Sequence, residues 1–223
     1  MHNNFIVANY AADGGCLDND DGSSYYHIHH NFCVYGGHKC DFDGNKKISS
    51  DNVHAFPSVY GTTCLNIGAQ SLPPEGYAEG YYNNKCVLPT AGASYLKIGG
   101  VAGPPNPHGG EWPSTRPKLD CLSGEKGGAA YTAFNAGITL GSESARPMVR
   151  PMPRRVCPRS SIAASADNSL YVPGGNATIT CGSASVDFAT FQAKGYDSSS
   201  TIAAALPSND TIIGWAKALL SMS

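Results

Sequence analysis

Residues 26–34, Tyr26-His27-Ile28-His29-His30-Asn31-Phe32-Cys33-Val34, alternate between apolar and polar side chains. A period of two is that of a half-buried β-strand. Read this way, Ile28, Phe32 and Val34 face a core, while His27, His29, Asn31 and Cys33 face outward. His30 has inward parity, which predicts a bend at that point. Shorter runs at 5–8, 52–56, 64–67, 85–88 and 95–98 predict further strands. Turns rich in Gly and Pro separate them: Asp13-Gly14-Gly15, Gly36-Gly37, Leu72-Pro73-Pro74 and Gly103-Pro104-Pro105. An Asn followed by an apolar residue recurs as Asn4-Phe5, Asn31-Phe32 and Asn52-Val53, at intervals of 27 and 21 residues. Hairpin meanders repeat at about 8–12 residues, so this longer spacing predicts stacked parallel strands with Asn4, Asn31 and Asn52 one above another.

The C-terminal pattern changes. Residues 176–181 read as a strand after the turn Pro173-Gly174-Gly175, and 186–194 as a short helix stopped by Gly195. A longer last helix starts at Ser208 or Asn209, with Asp210 at its positive end and Ile212, Ala216, Leu219 and Leu220 on one face. That face predicts a lid over an open end of the stack.

Within residues 18–43 lie five aspartates and four histidines. Asp18 and Asp20 recur as Asp41 and Asp43, each 23 residues later. If that shift is one layer of a parallel stack, like side chains lie about 4.8 Å apart. Glycosidases use two carboxylates, about 5–5.5 Å apart for retention or 6.5–9.5 Å for inversion. Asp20 and Asp43 are therefore the expected catalytic pair. Asp18, Asp21 and Asp41 are neighbours that can raise one partner's pKa. The bland alternative is that these aspartates cap turns. His27, His29, His38, Lys39, Tyr25 and Tyr35 are the expected sugar-binding residues, because aromatic rings stack on sugar faces and polar tips meet hydroxyls. His54 is read as structural. The acidic runs offer hard oxygens for calcium, but neither has EF-hand spacing, and no paired Cys/His pattern suits zinc. No cofactor is expected.

The chain has 223 residues, a net charge of −2 and 14 % charged residues, so no basic face for nucleic acid is expected. No apolar run approaches the ~18 residues of a membrane helix. Eight cysteines without C-x-x-C spacing predict disulfides and an extracellular or cell-surface location. The expected pairs are Cys33–Cys64 or Cys40–Cys64, and Cys86–Cys121. Sequons at Asn176 and Asn209 point the same way. No signal peptide precedes the first apolar run, so the chain is expected to begin inside a longer protein. Residues 1–140 are expected to form the stack and 168–223 a strand with a helical cap. Between them, 141–167 carry five arginines among prolines and read as a loop or linker.

The motif Asp18-Asn19-Asp20-Asp21-Gly22-Ser23-Ser24-Tyr25-Tyr26, with Tyr60-Gly61, residues 73–77, Tyr171-Val172-Pro173-Gly174-Gly175-Asn176 and residues 206–215, resembles right-handed parallel β-helix proteins of the pectin-lyase-like type. More closely it is similar to eukaryotic, algal or oomycete-type members carrying D-x-D-D-G-S-S-x-Y. The resemblance covers roughly 3–100 and 168–223. It implies an all-β fold, a right-handed parallel β-helix with a short C-terminal helical cap. It also implies a carbohydrate-active protein acting on an oligo- or polysaccharide: a glycoside hydrolase first, then a non-catalytic glycan binder, an inactive fragment or a polysaccharide lyase.

Overall fold

The structure is a computed structural model that describes residues 1–9, 15–19, 23–40, 46–57, 64–68, 79–99, 163–181, 184–193 and 197–221. Among the described residues, sixteen short strands form three sheets. The first sheet has the order β1 (Phe5–Val7), β4 (Phe32–Val34), β7 (Val53–Ala55), β10 (Lys85–Val87), β13 (Ser169–Tyr171) and β16 (Thr201–Ala203). The second contains β2 (Leu17–Asn19), β5 (His38–Cys40), β8 (Leu65–Gly68), β11 (Ser94–Gly99), β14 (Thr178–Cys181) and β15 (Ala184–Asp187). The third contains β3 (His27–His29), β6 (Ile48–Ser50), β9 (Glu79–Tyr82) and β12 (Ala163–Ala166). Through β14 each strand joins the next sheet in turn, and β1 to β11 and β13 each pair in parallel with the strand three later. Strand β15 pairs antiparallel, on β14. The fold is thus mostly β, with helices α1 (Phe188–Ala193) and α2 (Asn209–Leu219). Strand β12 lies within the stretch 141–167 expected as a loop or linker, and β13, β14 and β16 within 168–223, expected as a strand with a helical cap; all four extend the same sheets.

The expected asparagine stack is present and longer than predicted. Asn31 Oδ1 accepts from the Asn4 backbone N–H at 3.1 Å and from its side-chain amide at 2.8 Å. The same double bond runs from Asn31 to Asn52, from Asn52 to Asn84, and from Asn84 to Asn168. Each ladder residue follows one with positive φ: Asn3, His30, Asp51, Asn83 or Asp167. Asn, Asp and His tolerate the left-handed region better than most residues. The bend expected at His30 is this corner.

That corner also corrects the facing of the following strand. Asn31 and Cys33 are buried inside, while Phe32 and Val34 face outward onto a helix. One left-handed residue breaks the two-residue period, so parity does not carry from β3 into β4. The layer spacing needs a second correction. Asp18 lies opposite Lys39, 21 residues on, not opposite Asp41. The 21-residue offset recurs in β3–β6 and β4–β7, so it is the length of that whole layer.

The cysteine pairing also differs from expectation. Cys16 bonds Cys33 and Cys64 bonds Cys86, with Cα atoms 6.2 and 6.1 Å apart. Inward-facing cysteines of adjacent layers meet in the interior, which the linear spacing does not reveal. Cys121 and Cys157 lie outside the described residues.

The main core lies between the sheets, with Tyr81, Leu88, Tyr95, Leu96, Leu170 and Ile179 among its residues. Phe188 and Phe191 of α1 drop into it beside β14 and β15. The helix begins at Phe188, not at Val186, which belongs to β15. The last helix covers a flank, not the end. Ser208 caps α2, accepting from Thr211 N–H, and Ile212 and Ala216 pack on Phe32, Val53, Ala55 and Val87. An apolar outer column on the first sheet offers more burial there than the end, which α1 and β15 already occupy.

Candidate functional site

The outer face of the β3-β6-β9-β12 sheet concentrates the chemistry-bearing side chains. In register, His27 lies beside Ile48 and Gly80, and His29 beside Ser50 and Tyr82. The alternate positions Ile28, Ser49, Tyr81 and Ser165 point inward and are buried. Imidazole rings line the first edge. His2 stacks on His29 at 4.8 Å between centroids and 15° between planes, and His27 tilts against His29 at 4.3 Å. His29 Nδ1 lies 2.8 Å from His30 Nδ1, and His27 Nε2 lies 3.1 Å from Ser50 Oγ. The Tyr82 ring lies over Gly80; a Cβ at that position would overlap the ring. Ile48 supplies an exposed apolar surface between them, and Tyr25 and Tyr26 stand exposed before β3. The Lys46 ammonium sits 5.7 Å from the Tyr25 ring centroid.

Burial lowers the pKa of His27, against the opposing pull of Asp51. Burial and the adjacent His27, His30 and His2 lower that of His29. At neutral pH both rings are therefore uncharged, each with one donor and one acceptor nitrogen. Burial raises the Tyr82 phenol, which stays protonated.

The other expected residues do not converge here. Asp18 and Lys39 project from the second sheet, and their charged groups meet at 3.3 Å. His38 is interior: Nδ1 lies 3.1 Å from Ser49 Oγ and Nε2 2.8 Å from Asn19 Oδ1. Its pKa falls well below the usual value because of burial, then His54 and Lys47. It has no path to a surface glycan. Tyr35 stacks on Phe56 at 6.2 Å, at the corner after β4, whereas Tyr25 precedes β3. Asp20, Asp21, Asp41 and Asp43 lie outside the described residues. His54 is structural, as expected, with Cys33 and Cys86 beside it in register. Among the described residues no group of three or more His, Cys, Asp or Glu is placed to hold a metal ion.

Sequence reasoning did not single out His2, Ile48, Ser50 or Tyr82 for this face. Layer length grows from 21 residues between Asn31 and Asn52 to 32 between Asn52 and Asn84, which hides the alignment of Tyr82 with Ser50. The Asn83-Asn84 pair was the available signal, since it marks the same corner as His30-Asn31.

Comparison with known proteins adds no relative: no family model, no curated protein and no solved structure matches the chain. The pectin-lyase-like resemblance rests on the motifs alone.

Proposed function

We propose that the chain is a right-handed parallel β-helix whose β3-β6-β9-β12 face binds an extended oligo- or polysaccharide. Right-handedness follows the general rule for crossovers between parallel strands. The observation that carries the binding reading is the strip formed by the His2–His29–His27 rings, Ile48 and the Tyr82 ring over Gly80. Its apolar ring faces suit the C–H faces of sugars, and its imidazole, phenol and Ser50 hydroxyl groups suit sugar hydroxyls. Uncharged imidazoles at neutral pH favour a neutral glycan over a polyanion. Binding is preferred to bond cleavage because Asp18 is ion-paired to Lys39 on a different sheet. Two disulfides, with no helix long and apolar enough to cross a membrane among the described residues, support an extracellular or cell-surface location.

The test is retention of the full chain on a panel of neutral and acidic polysaccharides, with reducing ends assayed in parallel. Tyr82→Ala and His27→Ala should each weaken retention about tenfold, the scale of one lost ring contact. Unchanged retention by both variants, or no retention by any glycan, would defeat this reading. Reducing ends that appear with the full chain and vanish in Asp20→Asn or Asp43→Asn would replace binding by hydrolysis.

A further inference from the structure

Gly80 sits inside β9, where a glycine ordinarily weakens a strand. Its φ is not in the left-handed region, so the backbone does not demand a glycine there. The space above it does. A Cβ on Gly80 would overlap Tyr82 Cε2 and lie 2.9 Å from both Cζ and the phenol oxygen. The Tyr82 side chain therefore does not stand out from the sheet. It folds back along its own strand, and its far end rests on the bare Gly80 backbone. Residues two apart on a strand share a face, so this is the outer face, opposite the buried Tyr81. In register, Gly80 lies beside Ile48, which is 41 % exposed, and Tyr82 beside Ser50. One layer further on stand His27 and His29. Neighbouring layers are about 4.8 Å apart. Side by side, the folded-down ring and Ile48 make an apolar row that runs from layer to layer, with Ser50 and His29 alongside it.

We infer that Gly80 sets the specificity of the proposed glycan face: by letting Tyr82 lie down, it makes a stacking row for a neutral polysaccharide whose pyranose rings are linked through equatorial bonds at both ends. This rests on the glycan-binding reading and narrows it. An aromatic ring lying along a sheet offers its apolar surface to a flat partner. A pyranose with equatorial hydroxyls is such a partner, because its C–H bonds point up and down while its hydroxyls point sideways. Equatorial links at both ends keep successive sugars in one flat ribbon, so one sugar covers the Tyr82 ring while the next covers Ile48. An axial link turns the next sugar out of the row. Hydroxyls along the ribbon's edge meet Ser50 Oγ and the His29 imidazole, which both donate and accept. Gly80 is a positioning residue: it touches no sugar and acts through Tyr82.

The test measures the affinity of the full chain for three soluble oligosaccharides by calorimetry. They are a β-1,4-linked glucose oligomer with equatorial links, an α-1,4-linked glucose oligomer with an axial link at each sugar, and an α-1,4-linked galacturonate oligomer. The first should bind about tenfold more tightly than either of the others. Gly80→Ala should lose about that factor on the first, because its Cβ lifts the Tyr82 ring off the sheet. Its melting temperature should hold, since alanine suits a strand interior better than glycine. Tyr82→Phe should keep most of the affinity. In a Tyr82→Ala background, Gly80→Ala should cost nothing more, because the glycine acts only through that ring. Equal binding of the two glucose oligomers, a preference for galacturonate, full affinity in Gly80→Ala or an additive loss in the double variant would each overturn the inference. The glycan reading survives those results if His27→Ala still weakens binding. Failure of every oligosaccharide to bind removes both.

Discussion

Asn52 accepts two N–H groups from Asn31 and donates to the Ile28 carbonyl, to Ser49 Oγ and to Asn84 Oδ1. Truncating it leaves several buried groups unpaired, each costing about 1–3 kcal/mol. Asn52→Ala should therefore lose about 3 kcal/mol or more in urea unfolding, against less for Asn4→Ala, whose ladder bonds are only part-buried. Equal losses would show that the ladder does not stabilise the stack. His54 is the opposite case: fully buried, with neither ring nitrogen hydrogen-bonded among the described residues. Burial pushes its pKa down to about 4. A depressed pKa contributes stability that is present above the unfolded value near 6.5 and lost as pH falls to 4. The limit is on the order of 3 kcal/mol. The groups facing it are His38, whose ring centroid is 6.2 Å away, and through His38 the Lys47 ammonium and Tyr81. None is an acid that could hold the proton. Asp197 runs the other way. Burial raises its carboxyl to about 6, against the bond from Ser200 Oγ, which favours the charged form. Its stabilisation is complete below 3.8 and lost as pH rises through 6. His54→Leu should thus gain more over the parent at pH 4.5 than at pH 7.5, and Asp197→Asn more at pH 7.5 than at pH 4.5. Urea midpoints at the two pH values check both; parallel shifts would contradict the burial argument.

Helix α2 shows how an element is held by one face. Its contacts are Ile212 and Ala216 on the β4-β7-β10 flank and Trp215 against Tyr171 at 5.2 Å. Ile213, at the margin of that face beside Phe5 and Phe32, is exposed. The helix adds no strand to a sheet, so it can detach while the sheets persist. Ile212→Ala should cost about 2 kcal/mol at this partly open site. The loss should appear first as a red shift of Trp215 emission and faster hydrogen exchange across 209–219. If exchange in β7 and β10 rises in step, helix and sheets form one cooperative unit and the prediction fails.

Across the whole molecule, the two disulfides repeat one device. Each joins the residue preceding a second-sheet strand to the middle of a first-sheet strand in the next layer: Cys16 to β4 and Cys64 to β10. The loops they close span 17 and 22 residues, for which loop entropy corresponds to about 3 kcal/mol each. Reduction should lower the melting temperature markedly, and a non-reducing peptide map should link Cys16 to Cys33 and Cys64 to Cys86. A Cys33–Cys64 link in that map would reject this layering.

What was legible in the chain was local. The two-residue period at 26–34 marks strands, His30 and Asn31 mark a corner, Pro173-Gly174-Gly175 marks a turn, and Ser208 with Ile212 and Ala216 marks a helix and its buried face. These depend on dihedral preference and on neighbours within a few residues, so the sequence by itself determined them. The Asn-apolar recurrence went further, because one ladder position demands the same side chain in every layer. Tertiary structure alone decided the rest. Asn84 meets Asn168 across 84 residues of chain, Asp18 faces Lys39 instead of Asp41, and Cys33 reaches Cys16. Layers differ in length, 21 residues from Asn31 to Asn52 and 32 from Asn52 to Asn84, so register is set by packing of the inner columns, not by a constant count. The histidine and tyrosine face exists for the same reason: side chains from four layers become neighbours only after those columns align.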